Sequence, residues 1–277
     1  MKLSLQYYAM VPLLRKGKIS TEQIFSYASK EGYEAIEYLL FDPSMDIKPV
    51  KELLEKYNLS VSCVDCFFDF ATCDEDVFQK QIEIAYSAVD KVKQLGSKYM
   101  MVVPAYEESV TTKEEAAQNI IKGLKLLVEY AGKKDIGITI EDYPNLKVPL
   151  CSIDEIHRIL TEVPGLYLTF DTGNFLIAED ESKEALQKLY KYVRNVHAKD
   201  WKLVEDGQYL ETKLKRKVTS TIHGDGIIKF KELFQILQEN AYDGYISVEF
   251  EGDMEDLEPI KKCTKYLRSI LKQCKEV

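Results

Sequence analysis

"ITIEDYP", residues 138–144, is a short apolar run that leaves the core on two carboxylates and a proline. Gly137 to Ile140 reads as a buried strand, a brief β-branched run bounded by turn residues. The strand ends by presenting Glu141 just as the chain departs. Three other apolar runs end in the same manner, on Asp171, His197 and Glu249. This recurrence decides the fold, because it marks one end of several strands as the place where chemistry collects.

Working outward, strand-like runs recur at Leu3–Gln6, Ala35–Tyr38, Ser60–Asp65, Tyr99–Val103, Gly137–Ile140, Leu166–Phe170, Asn195–His197 and Tyr245–Glu249. Longer segments with helical spacing separate them; in residues 114–134, Ile120, Leu124, Leu127 and Val128 form one apolar stripe. "STEQ" and "CSIDE" resemble helix N-caps, and Gly32, Gly96 and Gly132 fall at or near helix ends. Eight strand–helix alternations predict a (β/α)8 TIM barrel. A doubly wound open sheet is the rival, but no GxGxxG or P-loop follows any strand. Residues 202–226 hold no helical stripe, and Asp206-Gly207 reads as a turn between "KLVE" and "QYLETK". The expectation is a β-hairpin insertion after strand 7, on the catalytic side.

The chain of 277 residues is long enough for one such barrel, so a single domain over 1–277 is expected. A net charge of −9 argues against a nucleic-acid partner, which needs a Lys/Arg surplus. The basic run "KLKRK", 213–217, reads as a solvated hairpin end. No run reaches the roughly 18 apolar residues of a membrane span. The first ten residues lack a signal peptide's apolar region and read as a strand, so a cytoplasmic enzyme is expected. The six cysteines fit that compartment as free thiols. Cys63 and Cys66 form a CxxC, but in a strand these positions face opposite sides and do not chelate.

In a (β/α)8 barrel the C-terminal strand ends form the active-site face. Glu141, Asp171, His197 and Glu249 would stand on four consecutive strands there. Three uncompensated carboxylates so close would repel and raise one another's pKa, which a divalent cation relieves. Oxygen donors with one imidazole suit Mn²⁺ or Mg²⁺ first, with Co²⁺ or Zn²⁺ tolerated. Taken singly, each residue has a plainer reading: a surface glutamate, an "Asp-Thr-Gly-Asn" turn, a core histidine. Their joint placement favours the metal.

"ITIED", "LTFDTGNF", "VHAKD", "HGDGIIKF" and "ISVEFEG" follow one another in order along the chain. In this they resemble the xylose isomerase-like TIM-barrel family of sugar isomerases and epimerases. That family includes ketose 3-epimerases, inosose isomerases and dehydratases, hydroxypyruvate isomerases and an endonuclease IV branch. "GYEAIEYLL" is similar too, with Glu37 where the family often has an acidic residue. The resemblance implies one metal held by Glu141, Asp171, His197 and Glu249. Glu141 and Glu249 would double as catalytic proton carriers on either side of the substrate. It also implies substrate-side or supporting roles for Glu37, Asn174, Lys199, Asp200, Trp201 and His223, with His223 a reserve proton carrier. Lys199 facing the barrel wall, and a plain turn at His223–Gly226, remain open readings. Asn174 stands where many members have a histidine, and no arginine follows His197 directly as it does in some ketose epimerases.

The expected chemistry is proton transfer next to a carbonyl, through an enediolate, on a sugar or polyol. Returning the proton elsewhere gives epimerisation or isomerisation; losing a hydroxyl gives an inosose-type dehydratase. A hydroxypyruvate isomerase-type activity uses the same groups. An endonuclease IV-like phosphodiesterase would need more histidines than His157, His197 and His223. A non-catalytic sugar-binding barrel would not need two opposed glutamates. Tyr7, Tyr8, Phe67, Phe68, Tyr106, Tyr143, Phe175 and Trp201 all follow strand ends, either to cover a sugar or to cap the core. Homo-oligomerisation is left open.

Overall fold

In "GITIE" the isoleucines alternate with Thr139 and Glu141, so one strand face is aliphatic and the other polar. The same alternation runs round the sheet. The computed structural model describes residues 1–275. The barrel begins with β1 (Lys2–Gln6), β2 (Ala35–Leu39), β3 (Ser60–Phe67), β4 (Tyr99–Val103), β5 (Gly137–Glu141), β6 (Tyr167–Asp171) and β7 (Val193–Ala198). An insertion then holds β8 (Trp201–Leu203), β9 (Leu210–Glu211) and β10 (Lys217–Ser220), before β11 (Tyr245–Val248) completes the barrel. Eight parallel strands close with β11 against β1, as the alternation of elements predicts.

Leu3, Leu5, Ile36, Ile138, Ile140, Leu168, Phe170, Val196 and Val248 belong to the main apolar core beneath the helices. On β1, β5, β6, β7 and β11 the inward face is polar instead of carrying the branched aliphatics common in barrel interiors, whereas Leu39, Met101 and Val103 line the interior from β2 and β4. Ser4 bonds Ser62 at 2.7 Å, Thr139 bonds Thr169 at 2.8 Å, and Asn195 Nδ2 donates to Glu37 Oε1 at 2.8 Å. These buried polar groups thereby find partners across the barrel.

Two register shifts tune what faces inward. Leu168 lies opposite Val193, but Thr169 lies opposite Asn195, so β7 carries one extra residue there. Ile36 lies opposite Val61, but Tyr38 lies opposite Val64, so β3 does the same. A one-residue slip exchanges the two faces of a strand. The shifts therefore set Asp171 beside His197 and Leu39 beside Asp65.

The helices start where the sequence marks them. Ser20 and Ser152 form capping boxes with Gln23 and Glu155. Gly32 and Gly96 take positive φ just past helix ends. All six cysteines are free; Cys63 packs with Met101 and Val103 while Cys66 joins the main core. Among the described residues no helix is long and apolar enough to cross a membrane.

The insertion is antiparallel as expected, but its pairing differs from the expected hairpin. The turn at Asp206-Gly207 does not join paired strands: β10 lies between β8 and β9. The tight hairpin is β9–β10, closed by residues 212–216 within the basic run. The reason is burial. Val218 is fully buried in a small cluster with Trp201, Cys151 and Ile177, so β10 takes the central place. Arg216 Nε also pairs with Glu179 at 3.1 Å, which fastens the hairpin to the turn after β6.

Candidate active site

Asp171 and His197 stand side by side because their strands pair there in register. Val248 lies opposite Ala198, and the Glu249 N–H donates to the Ala198 carbonyl at 3.1 Å, continuing the ladder one step further. Glu141 ends β5 opposite Thr169. The structure thus brings all four expected ligands together. Each is buried, and their donor atoms lie within 4.8 Å of one another. His197 Nδ1 is 2.6 Å from Glu141 Oε1 and 3.3 Å from Glu249 Oε2. Asp171 Oδ1 is occupied by the amides of Gly173 and Asn174, both at 2.7 Å.

Two further oxygens test whether a cation fits. Asp171 Oδ2 and Glu249 Oε2 are buried and make no hydrogen bond. Unpaired buried carboxylate oxygens are costly unless something positive takes them. Three carboxylates and one imidazole, with two of the oxygens making no hydrogen bond among the described residues and only longer ion-pair contacts to His197 and Lys199, fit an oxygen-preferring divalent ion that accepts one nitrogen. Such a group could be held by Glu141, Asp171, His197 and Glu249.

The electrostatics follow from burial and sign. Burial pushes the Asp171 carboxyl well above its ordinary range, with Glu249 and Glu141 adding to this and Lys199 opposing it. Burial acts the same way on Glu249, but the Lys199 ammonium and His197 outweigh it and hold that carboxyl below the usual range. For His197 burial favours the neutral ring, yet Glu37 and Glu141 prevail and raise it well above the usual imidazole value.

Glu37 is fully buried beneath the histidine, with Oε1 3.0 Å from His197 Nε2. Asn195 and Ser247 donate to the same carboxylate. Asp65 shares a hydrogen bond with Glu37, and burial together with that neighbour pushes the Asp65 carboxyl well above its ordinary range. Glu37 therefore fixes the ring and directs Nδ1 at the ligand cluster, as a carboxylate behind a metal-ligating histidine does. Replacing Glu37 with Gln is expected to weaken Mn²⁺ affinity roughly 10- to 100-fold. A calorimetric titration checks this; unchanged affinity would leave Glu37 with a packing role only.

The remaining expected residues divide by position. Lys199 and Asn174 line the cavity over the cluster, with Lys199 Nζ 3.0 Å from Glu249 Oε1 and 3.1 Å from Glu251 Oε2. Lys199 thus faces the cavity and not the barrel wall. Asn174 Nδ2 donates to the Asp142 carbonyl at 2.9 Å. Asp200 turns away and accepts the amides of Gly224, Gly226 and Ile228 at 2.9–3.1 Å. Gly226 is required there, since a Cβ would come within 2.2 Å of Asp200 Oδ1. His223 Nε2 donates to the Glu249 carbonyl at 2.8 Å, and burial lowers its pKa to about 4, so the ring is neutral. Trp201 is buried against Gly173, with Lys199 Nζ 5.7 Å from its ring centroid. Glu37, Asp200, His223 and Trp201 are not part of the cavity lining.

The cavity, about 130 Å³, is lined from every side of the barrel. Tyr8, Phe67 and Tyr143 wall its mouth, whereas Phe68 and Phe175 are fully buried core caps and Tyr7 bonds Thr21. A larger bowl of about 670 Å³ at the opposite barrel end, around Lys2 and Arg194, holds none of the four ligands. Glu141 and Glu249 line the smaller cavity instead. Sequence reasoning missed Gln6, Asp65 and Glu251, which also line it. The strand-end rule that found Glu141 would have found Gln6 had it been applied to β1. Asp65 also ends a strand-like run, Ser60–Asp65, but a register shift decides that it faces inward beside Leu39.

Three comparisons bear on this geometry. A family model for the xylose isomerase-like TIM barrel matches residues 25–270. The inosose dehydratase of Clostridium perfringens is 26% identical over 275 residues, covering 91% of each chain. Among solved structures, a D-tagatose 3-epimerase-like protein superposes with a TM-score of 0.80 at 23% identity, over 100% of this chain and 99% of its own. The IOLI protein with a binding zinc atom gives 0.79 at 20% identity, over 99% of both chains.

Proposed function

Because the chain belongs to the xylose isomerase-like TIM-barrel family, we propose that it is a divalent-metal-dependent isomerase or epimerase of a sugar or polyol. The observation that carries this reading is the pair Glu141 and Glu249. They come from different strands, yet both line one cavity and their carboxylates reach the same His197 nitrogen. Proton abstraction next to a carbonyl needs a base on the face that loses the proton, and epimerisation needs an acid on the other.

A divalent ion held by Glu141, Asp171, His197 and Glu249 would polarise the substrate carbonyl and stabilise the enediolate charge. The chain's own groups supply the rest. One of the two carboxylates, Glu141 or Glu249, takes the proton from the substrate carbon, and the other, in its protonated form, delivers one from the opposite side. Lys199, fixed by Glu249 and Glu251, adds positive charge beside the developing oxyanion. Tyr8, Phe67 and Tyr143 restrict water at the mouth. His223 holds the backbone at Glu249, and Asp200 holds the 224–228 loop that carries the chain on from His223.

Loss of a hydroxyl from the same intermediate is the second reading, favoured because curated relatives such as the Clostridium perfringens protein are inosose dehydratases. The chain's ammonium at Lys199 is placed to protonate a departing hydroxyl. Incubation of the Mn²⁺-loaded protein in deuterated water with ketoses and inososes, followed by NMR, separates the two. Deuterium at the carbon next to the carbonyl with retained hydroxyls marks isomerase chemistry; loss of water marks the dehydratase. Metal-dependent incision of abasic DNA without sugar exchange would overturn both.

A further inference from the structure

The cavity has two unlike halves. The metal-ligating set comes from β5, β6, β7 and the end of β11, while β1 to β4 supply the wall opposite. That wall consists of Leu39, Phe67, Met101 and Val103 with two polar side chains among them, Gln6 and Asp65. Both are nearly inaccessible, each 2% exposed. Gln6 Oε1 and Asp65 Oδ1 are both buried without a hydrogen-bond partner. The Asp65 carboxyl is hydrogen-bonded to Glu37, and Gln6 Nε2 reaches the His197 ring only at 3.4 Å. Two acceptors in an apolar wall, facing a cavity that leads to the reactive groups, are a donor-shaped vacancy in the hydrogen-bond pattern. Turning the Gln6 amide over would present its NH₂ instead, and a hydroxyl satisfies either orientation.

Charge narrows the donor further. The lining carries acidic side chains at Glu141, Glu249 and Glu251 besides the Asp65 carboxyl, against one cation, Lys199, which is already paired with Glu249 and Glu251. No arginine lines the cavity. A phosphate would be stripped of water beside apolar side chains and acids, with no guanidinium to receive it. A hydroxyl-bearing carbon chain or ring suits the same wall, its C–H faces on Leu39, Phe67 and Met101 and its O–H groups on the two acceptors.

From this juxtaposition we infer that Gln6 and Asp65 set specificity. They read hydroxyls remote from the reacting carbonyl, and they select an uncharged, unphosphorylated polyol ketone over its phosphate ester. The inference rests on the reaction proposed at Glu141 and Glu249, and its test is built to fail separately from that reading.

The full-length Mn²⁺-loaded protein is titrated calorimetrically with D-fructose, myo-inositol, fructose 6-phosphate and dihydroxyacetone. The neutral six-carbon probes bind, and fructose 6-phosphate binds at least about tenfold more weakly than fructose. Asp65→Ala and Gln6→Ala each weaken the six-carbon probes by about fivefold or more, as loss of one buried hydrogen bond does. Dihydroxyacetone, too short to span the cavity, changes less than twofold in the same variants. If Asp65→Ala does not fold, Gln6→Ala carries the test, since Gln6 makes only long contacts in the barrel. Phosphate ester binding as tight as fructose overturns the inference. So do unaltered six-carbon affinity in the variants, equal weakening of the three-carbon probe, and no binding of any probe. Binding that follows the expected order without deuterium exchange overturns the reaction and leaves the specificity assignment standing.

Discussion

Replacement of Glu141 or Glu249 by glutamine is expected to lower turnover by roughly 10²–10⁴-fold, the usual worth of a positioned acid or base. Glutamine keeps the shape of the side chain and one ligating oxygen but cannot carry the proton. The two variants are expected to fail differently. With one carboxylate intact, the remaining face can still exchange the substrate proton with deuterated water while the overall conversion stalls. Metal content must be measured alongside, because glutamine is a weaker ligand and a lost ion would imitate a lost base. Normal turnover by both fully loaded variants would remove the glutamates from proton transfer. Lys199 would then be the group to examine: its ammonium lines the cavity, whereas the neutral His223 ring is committed to the Glu249 carbonyl outside it.

Chelation is expected to abolish activity altogether and to lower the melting temperature. Asp171 Oδ2 and Glu249 Oε2 have no hydrogen-bond partner, so the folded state offers a cation oxygens that the unfolded chain does not gather. Binding to the folded state alone stabilises by mass action, about 2.7 kcal/mol when free ion is at a hundredfold excess over Kd. Melting curves with and without chelator, followed by re-addition of Mn²⁺, Mg²⁺, Co²⁺ and Zn²⁺ one at a time, check this and rank the ions. Full activity in a preparation shown by elemental analysis to contain no metal would overturn the metal-dependent reading.

The barrel and the clustering of Glu141, Asp171, His197 and Glu249 were both legible in the linear chain, for physical reasons that act locally. Strand periodicity is a two-residue property, so "GITIE" already shows which side of β5 is aliphatic and which carries Glu141. Capping is equally local, and Ser20 and Ser152 do begin helices with the expected partners. Parallel strands with helical crossovers then leave their C-terminal ends on one face, which gathers residues spread from 141 to 249. The turn at Asp206-Gly207 shows the limit of this reasoning. Its residues do turn, with Gly207 at φ +99, but which strands pair depends on burying Val218 against Trp201.

By itself, then, the sequence determined the elements, their order and the four side chains at the strand ends, because periodicity, caps and chain order are written locally. Only the tertiary structure decided the neighbours. The extra residue in β7 places His197 opposite Asp171 where unbroken pairing would have placed Val196, and the extra residue in β3 turns Asp65 inward beside Leu39. A register shift is settled by the packing of two whole strands against the barrel and its helices, and no single strand's sequence contains that balance. The same holds for the two unpaired acceptors at Gln6 and Asp65. Whether a buried oxygen has a partner is a property of everything that surrounds it.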